Sequence, residues 1–392
     1  MKKRTSIFAA SWLGVAAVWL GGHFGPGFAT GAFSTTYYVR HGAAGILTPL
    51  IAMLVTGGVM YFMTEYARAN NVRNYKPFAI SCYGEKGGMV MGILYDITFL
   101  LTLFCAGGLA VSGEYTILNN QLGVPILIGA ILTVVISALL CLYGSKLLSI
   151  SSKYMMYAIV AVVLLITVLS FTRGDYDLAG AFANSAVNAK APGVLPAIGD
   201  GILYGCFQST IVFNVMSVAD LLEDRAATRK AITAGYIITV VLMISLVFML
   251  FSYTNVVDIV AGTKNLPVLY VLQSLGMSWL TGVYVLLMTL AVLTSTAGLA
   301  HAACVRFDHL FGFISNVQLR RFVITAIALG IAGGGAALGM GPLLRTGTSV
   351  VGYIGIPVLV LPAFTVVRAK LQRNRAEKEP RAAAVSAPVP TR

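Results

Sequence analysis

The sequence predicts an all-α integral membrane protein of ten transmembrane helices, built as a 5+5 inverted repeat in which helices 1 and 6 are broken. Three observations carry that prediction. Only 10% of the 392 residues are charged and 58% are hydrophobic, with a mean hydropathy of +0.84, whereas a soluble domain carries roughly a quarter charged residues. Apolar stretches of about 20 residues, each long enough to cross ~30 Å of hydrocarbon, recur along the chain. Two of these stretches are interrupted at corresponding places in the two halves, which is the sequence mark of an inverted-repeat transporter and its binding site.

The first interruption is Gly21-Gly22-His23-Phe24-Gly25-Pro26-Gly27. An apolar segment, Ile7 to Leu20, precedes it, and Phe28 to Tyr38 resumes a helix. Glycine costs ~1 kcal/mol and proline ~3 kcal/mol against alanine in a helix interior. Lipid offers no water to bare N–H and C=O groups, so the break must be buried in protein or line a wet cavity. The first span is too long and too glycine-rich for a cleaved signal peptide.

A second span is expected near Gly42–Tyr66, then a basic, Asn-rich loop from Arg68 to Lys86 with room for a short surface helix. The third, about Gly88–Gly113, contains Asp96 and is followed by Glu114. The fourth (Val124–Tyr143) and fifth (Tyr154–Phe171) are plain apolar helices joined by a loop with Lys146 and Lys153. The chain therefore divides into a first repeat (1–171), an outer connecting segment (172–195), a second repeat (196–367) and a disordered tail (368–392).

Pro196 starts the sixth span, whose centre, Ile202 to Thr210, holds Tyr204, Gly205, Phe207 and Gln208 and is expected to break there. The seventh lies near Ala231–Tyr253. An outer segment, Thr254–Gly276, ends in apolar turns that suit a lid. The eighth span, about Leu280–Ala303, carries Leu293-Thr294-Ser295-Thr296-Ala297-Gly298. The ninth is near Arg321–Leu338, and the tenth near Ser349–Val367 contains Pro357 and Pro362.

Composition also excludes. The formal charge of +13 suggests nucleic acid until the positions are read. All lysines and arginines except Arg40, Arg173, Lys190, Lys264 and Arg345 fall in tails and loops that an inside N-terminus places in the cytoplasm. That is positive-inside bias. It predicts a multi-pass protein of the cell (inner) membrane with both termini cytoplasmic, partnered by the lipid bilayer and a small-molecule solute rather than nucleic acid, as monomer or homodimer. The cysteines (Cys82, Cys105, Cys141, Cys206 and Cys304) show no metal or disulfide spacing. There is no GxxxxGK[ST] loop for ATP and no HExxH or GxSxG motif, so the chain does not read as an enzyme.

The ten spans, the stretch Gly25-Pro26-Gly27-Phe28-Ala29-Thr30-Gly31, the broken sixth span and the Thr-Ser-Thr of the eighth resemble the LeuT-type fold of the amino acid–polyamine–cation transporter superfamily. Within it, the first-span stretch resembles the Gly-x-Gly-Phe-Ala-Ser-Gly of the bacterial YkvI-like family. The architecture covers nearly the whole chain, the specific matches only a few short stretches. The resemblance implies a secondary active transporter, a symporter of a small amino-acid-like or other organic solute coupled to sodium or protons by alternating access. It also implies a sodium ion held by the Thr294 and Ser295 hydroxyls and the carbonyls of Gly21 and Phe24, with no other cofactor.

The residues themselves suggest chemistry. Free carbonyls near Gly21, Gly22 and Phe24 suit a cation or ammonium, and a half-helix starting at Phe28 turns its partly positive end toward a carboxylate. Gly25 and Gly27 let a ligand approach the backbone. Tyr204, Phe207 and Gln208 flank it from the sixth span. His23 is an intramembrane ionisable group that serves the solute, a coupling proton or the break itself. Asp96 serves as a proton carrier or as the partner of a hydroxyl or histidine. Asp200 is placed about one turn into the sixth span, facing an outer vestibule. Two other functions fit the same fold. One is a solute sensor or receptor subunit. The other is a metal-ion transporter, for which the first span lacks an acidic residue.

Overall fold

The computed structural model describes residues 11–374 and 376, except 73, 144, 217 and 263–265. Of the tail expected to be disordered (368–392), residues 368–374 and 376 are helical, while residue 375 and the segment from 377 onward lie outside the described residues, as does Lys264. Every regular element described is helical.

The first span is α1 (Ser11–His23) followed by α2 (Pro26–Ala29). A π-helical stretch, Ser34–Tyr38, and a 3₁₀ stretch, Val39–Ile46, lead into α3 (Leu47–Ala69). The basic loop does hold a helix, for α4 starts at Tyr75 and turns at Gly84 (φ 75°) before running on to Thr102. After the π-helical Leu103–Gly107, α5 (Gly108–Leu122) completes the third span. That span therefore continues past Gly113, and Glu114 is inside it and buried. Then come α6 (Ile126–Tyr143), α7 (Ser145–Arg173) and α8 (Leu178–Asn188), the pair α7–α8 being bent by 99°. The sixth span is α9 (Val194–Gln208), a 3₁₀ turn Ser209–Ile211 and α10 (Val212–Met216). It is followed by α11 (Arg225–Phe251), the short α12 (Val256–Gly262) and α13 (Pro267–Ser274) of the expected lid, α14 (Ser278–Phe307) and α15 (Val317–Ala336). The last span winds through α16 (Met340–Pro342), α17 (Thr348–Gly355) and three π-helical stretches. Two of those, Ile356–Val360 and Ala363–Val367, contain or follow Pro357 and Pro362. A proline has no N–H for the i→i−4 bond, and the helix widens around it.

Among the described residues six helices are long and apolar enough to cross a membrane alone, and the bent α7–α8 pair makes a seventh if counted as one span. That is fewer than the ten expected; α1 with 13 residues, α9 with 15 and the apolar Ile126–Leu142 of α6 are shorter. Large apolar side chains such as Ile93, Leu127, Leu195 and Phe313 point outward, as lipid-facing positions require.

Helices without a hydrophobic driving force between them associate by close packing of small residues and by side-chain hydroxyls. The α3–α9 pair shows both. A Cβ on Gly205 would stand 2.5 Å from Ala52 O, while Thr56 Oγ1 donates to Gly205 O at 3.0 Å and Thr48 Oγ1 to Ala197 O at 3.1 Å. Gly352 and Gly355 of α17 lie equally close to Leu203 O and Cys206 O of α9, a Cβ on either reaching 2.8 Å. On the other side of the molecule, Gly335 of α15 rests on Phe104 O, and Gly108 of α5 on the Gly335 backbone. A branched side chain has no room there. Gly335→Val should cost about 1–3 kcal/mol through overpacking, seen as a lower melting temperature of the purified protein; an unchanged value would show that the crossing relaxes freely.

Candidate functional site

Within the expected Gly21–Gly27 break the first span is interrupted only at Phe24 and Gly25: Gly21, Gly22 and His23 stay within α1 and Pro26 and Gly27 begin α2, so the break is shorter than expected. The Phe24 N–H still reaches Leu20 O at 2.9 Å, and the chain then bends through Phe24 and Gly25. Proline suits the first turn of the next helix because its missing N–H would have no intrahelical partner. No atom lies within 4 Å of where a Gly25 Cβ would stand. The helix that follows is one turn long, closed by Phe28 N–H to Gly25 O at 3.1 Å and Gly31 N–H to Phe28 O at 2.8 Å. Gly31 takes φ +80°, a left-handed conformation that favours glycine. The half-helix expected to run on from Phe28 is thus interrupted again, and its dipole spans a single turn. The Thr30 carbonyl accepts from Val268 N–H at 3.0 Å, which pins the lid helix α13 to this second bend.

Rings fill the space behind the break. His23 is 1% exposed, with Phe24, Phe28 and Tyr204 around it at centroid distances of 5.9, 5.4 and 6.0 Å, all close to edge-on. Neither imidazole nitrogen has a hydrogen-bond partner among the described residues. Tyr204 is the hub: it also meets Phe33 and Tyr37 at 5.2 Å, Tyr38 at 5.5 Å and Phe207 at 6.2 Å. Gln208 Nε2 donates to its hydroxyl at 2.6 Å. The structure therefore brings His23, Tyr204, Phe207 and Gln208 together, as expected. Gly22 joins them, since its would-be Cβ lies 2.7 Å from Ile211 Cγ2 of the sixth span. Gly27 does not front an opening. A Cβ there would enter the Phe33 ring, so its bareness serves packing.

The sixth span departs from the expectation. Tyr204 to Gln208 stay α-helical, and the irregular turn follows at Ser209–Ile211. Two hydroxyls satisfy carbonyls of their own helix instead of opening it: Ser209 Oγ donates to Gly205 O at 2.7 Å and Thr210 Oγ1 to Phe207 O at 2.9 Å.

The four expected sodium ligands come from two places, Gly21 and Phe24 at the end of α1 and Thr294 and Ser295 within α14. Thr294 Oγ1 donates to Leu290 O at 2.9 Å and to Ala291 O at 3.1 Å on its own helix. Helix α14 packs on α2, α5, α6, α7 and α15, and α1 on α7, α10 and α11, with no extensive contact between α1 and α14. Gly21 on one and Gly298 on the other both front open space.

Asp96 has a structural partner, though not the hydroxyl or histidine alone that its sequence context suggested. Its Oδ1 accepts from Arg306 Nε at 2.8 Å and from the Tyr75 hydroxyl at 2.6 Å. The Arg306 guanidinium lies 3.4 Å over the Tyr75 ring and also faces Phe99 and Phe213. This cluster ties α4, α10 and α14 together beyond the end of α3. Before the start of α3 lies a second cluster. Arg345 donates to both oxygens of Asp200 at 3.1 Å, and the His41 ring sits between two oxygens, Nε2 2.9 Å from Asp200 Oδ2 and Nδ1 2.6 Å from Ala191 O. Sequence reasoning missed Arg306, His41 and Phe28. Arg345 alone left a trace, as one of few cations off the positive-rich side.

Tyr204 and Gln208 form a testable pair. Tyr204→Phe strands the buried Gln208 amide, at an expected cost of about 1–3 kcal/mol in thermal or denaturant unfolding. Adding Gln208→Leu should recover most of that loss; additive losses in the double variant would show that the two side chains act independently.

No family model matches the chain, and no curated protein matches it by sequence. Solved structures do match. A Na+-coupled sialic acid symporter in a substrate-bound outward-open state aligns over 91% of this chain and 78% of its own, with TM-score 0.66 and 13% identity. MhsT in complex with L-phenylalanine aligns over 89% and 88%, with TM-score 0.65 and 14% identity. The Eremococcus coleocola manganese transporter, in complex with an aromatic bis-isothiourea compound, aligns over 90% and 78%, with TM-score 0.55 and 14% identity. These neighbours are transporters and not enzymes, and at such identities the likeness is one of fold: the chain has the LeuT-type fold.

Proposed function

We propose that the protein is a secondary active transporter, a symporter of a small amino-acid-like or other organic solute driven by sodium or protons through alternating access. The observation that carries this reading is the first-span break at Phe24–Gly25, packed against the Tyr204 ring cluster where the first and sixth spans cross. In this reading the chain crosses the cell (inner) membrane ten times as a 5+5 inverted repeat with interrupted helices 1 and 6, both termini cytoplasmic by the positive-inside rule. The LeuT-type fold of the Na+-coupled and L-phenylalanine-bound neighbours supports it.

Gly22, His23 and Gly25 would offer the solute backbone and an imidazole, while Tyr204, Phe207 and Gln208 supply aromatic surface and one amide. Gly27 supports this site from behind, through Phe33. A pocket of rings with few polar groups suits a solute with an apolar or aromatic side chain. The sodium site would form when α1 closes on α14, bringing the Gly21 and Phe24 carbonyls to Thr294 and Ser295. Four neutral oxygens match the preference of a hard cation. A metal-ion transporter is less well supported. Among the described residues no group of three His, Cys, Asp or Glu side chains is placed to hold a metal. A sensor with the same pocket differs from the transporter only in moving nothing.

A thermal-shift screen of purified protein against L-phenylalanine, the other L-amino acids and sialic acid, in sodium and in choline, tests this. A solute at a hundred times its dissociation constant adds ~2.7 kcal/mol; the shift should be larger in sodium, and Ser295→Ala should shrink that difference. No stabilisation by any solute would count against the binding site. Binding without uptake into liposomes would favour the sensor.

A further inference from the structure

The buried and half-buried acids of the spans are distinguished by their partners. Asp96 has Arg306, Asp200 has Arg345 and His41, and Glu65 has Arg68 at 2.8 Å and the Thr228 hydroxyl at 2.8 Å. Glu114 differs. It lies in mid-α5 and is 1% exposed. Neither carboxylate oxygen completes a hydrogen bond among the described residues, and the Thr289 hydroxyl of α14 lies alongside. About one turn further on, Ile117 of α5 and Tyr284 and Val285 of α14 line a narrow apolar crevice with Thr30, Leu266 and Leu269. Glu114 therefore sits on the α5–α14 seam, close to α2 just after the break and to the lid helix pinned at Thr30.

Among the described residues no charge compensates it. The cations on the elements packed around α5 are engaged elsewhere: Arg306 with Asp96, Arg320 with Asp308 and Arg345 with Asp200. Arg321 lies beside His301, some three turns along α14 from Thr289. The remaining titratable side chains described on those elements are phenols and thiols, which bring no positive charge: Tyr284 on the same seam, Tyr115 on α5 itself, Cys105, Cys141 and Cys304.

We propose that Glu114 is the proton-binding carboxyl of this transporter. The acid keeps its proton on one oxygen while the α5–α14 seam is packed, because an ion without a counter-charge is strongly disfavoured there. When the seam opens to water on one side the proton leaves to solvent and the carboxylate is hydrated; before the seam closes again a proton from the water then facing it restores the acid. The proposal rests on the transporter reading and names the group that carries the proton. His23, sealed among rings, and Asp96, held by an arginine, are less suited to that role.

The test needs no solute. Wild-type protein in lipid nanodiscs is treated with dicyclohexylcarbodiimide, which attacks protonated carboxyls in apolar surroundings, and labelling is mapped by peptide mass spectrometry from about pH 5 to 9, a range that begins above the free glutamate value of ~4.3, so that an ordinary carboxyl is ionised throughout. Glu114 should be labelled at the acid end and lose label about tenfold toward the alkaline end, Asp96 should stay unlabelled, and Glu114→Gln should abolish the label while Glu114→Asp retains it. No label on Glu114 at any pH, or a label that ignores pH, would overturn the proposal and leave the transporter reading intact. Failure of the solute screen would conversely leave the titration of Glu114 standing.

Discussion

A helix interrupted inside a bilayer exposes backbone groups that lipid cannot hydrogen-bond, and the chain makes such an interruption at Phe24–Gly25. Much of the surrounding packing answers that exposure. His23, Phe24 and Phe28 turn inward onto Tyr204, and Tyr204 in turn collects Phe33, Tyr37, Tyr38 and Phe207. The second bend, at Thr30–Gly31, is met by the lid helix through Val268. The close approach of α9 to α3 and α17, made possible by Gly205, Gly352 and Gly355, holds Tyr204 at the depth of the break.

Charge is treated with the same economy. Two clusters stand at opposite ends of α3: Tyr75, Asp96 and Arg306 at one, His41, Asp200 and Arg345 at the other. Each joins one of the two pieces of the sixth span to other elements, α10 through Phe213 in the first and α9 through Asp200 in the second. In each pair one side chain is buried and its partner half-exposed, Arg306 with Asp96 and Asp200 with Arg345, so losing the more exposed partner would strand the buried charge. Such clusters therefore act as specific clasps, and the break with its ring cluster lies between them along the sixth span.

How much of this was legible in the sequence depended on whether the cause was local. The first break was readable because glycine and proline act on the backbone where they stand, and the spans were readable from apolar length. The sixth-span break was misplaced because Gly205 looks like a helix breaker but serves the α3 crossing, where a Cβ would meet Ala52 O. Gly27 misled in the same way, its neighbour Phe33 being placed by a later turn. Glu114 looked like the end of a span, as an acid usually is; only the surrounding helices, which no local pattern reports, keep it inside. Arg306 read as a loop cation because its aromatic surroundings come from Tyr75, Phe99 and Phe213 on two other elements.

The same interruption determines which part of the molecule is cheapest to move. A continuous helix can hinge only by breaking i→i−4 bonds, but between His23 and Pro26 the ladder is already interrupted, and Gly25 has nothing against it that a rotation would strike. On one side of that point α1 packs on α7, α10 and α11 without leaning on α14. On the other side the chain is fastened by the Thr30–Val268 bond and the Tyr204 rings. Motion of α1 about Gly25 would thus change its distance from Thr294 and Ser295 and slide His23, its last residue, across the Tyr204 ring. A cation gathered between α1 and α14 would oppose that motion, and one lost from there would permit it, so the hinge and the proposed ion site are governed by a single coordinate.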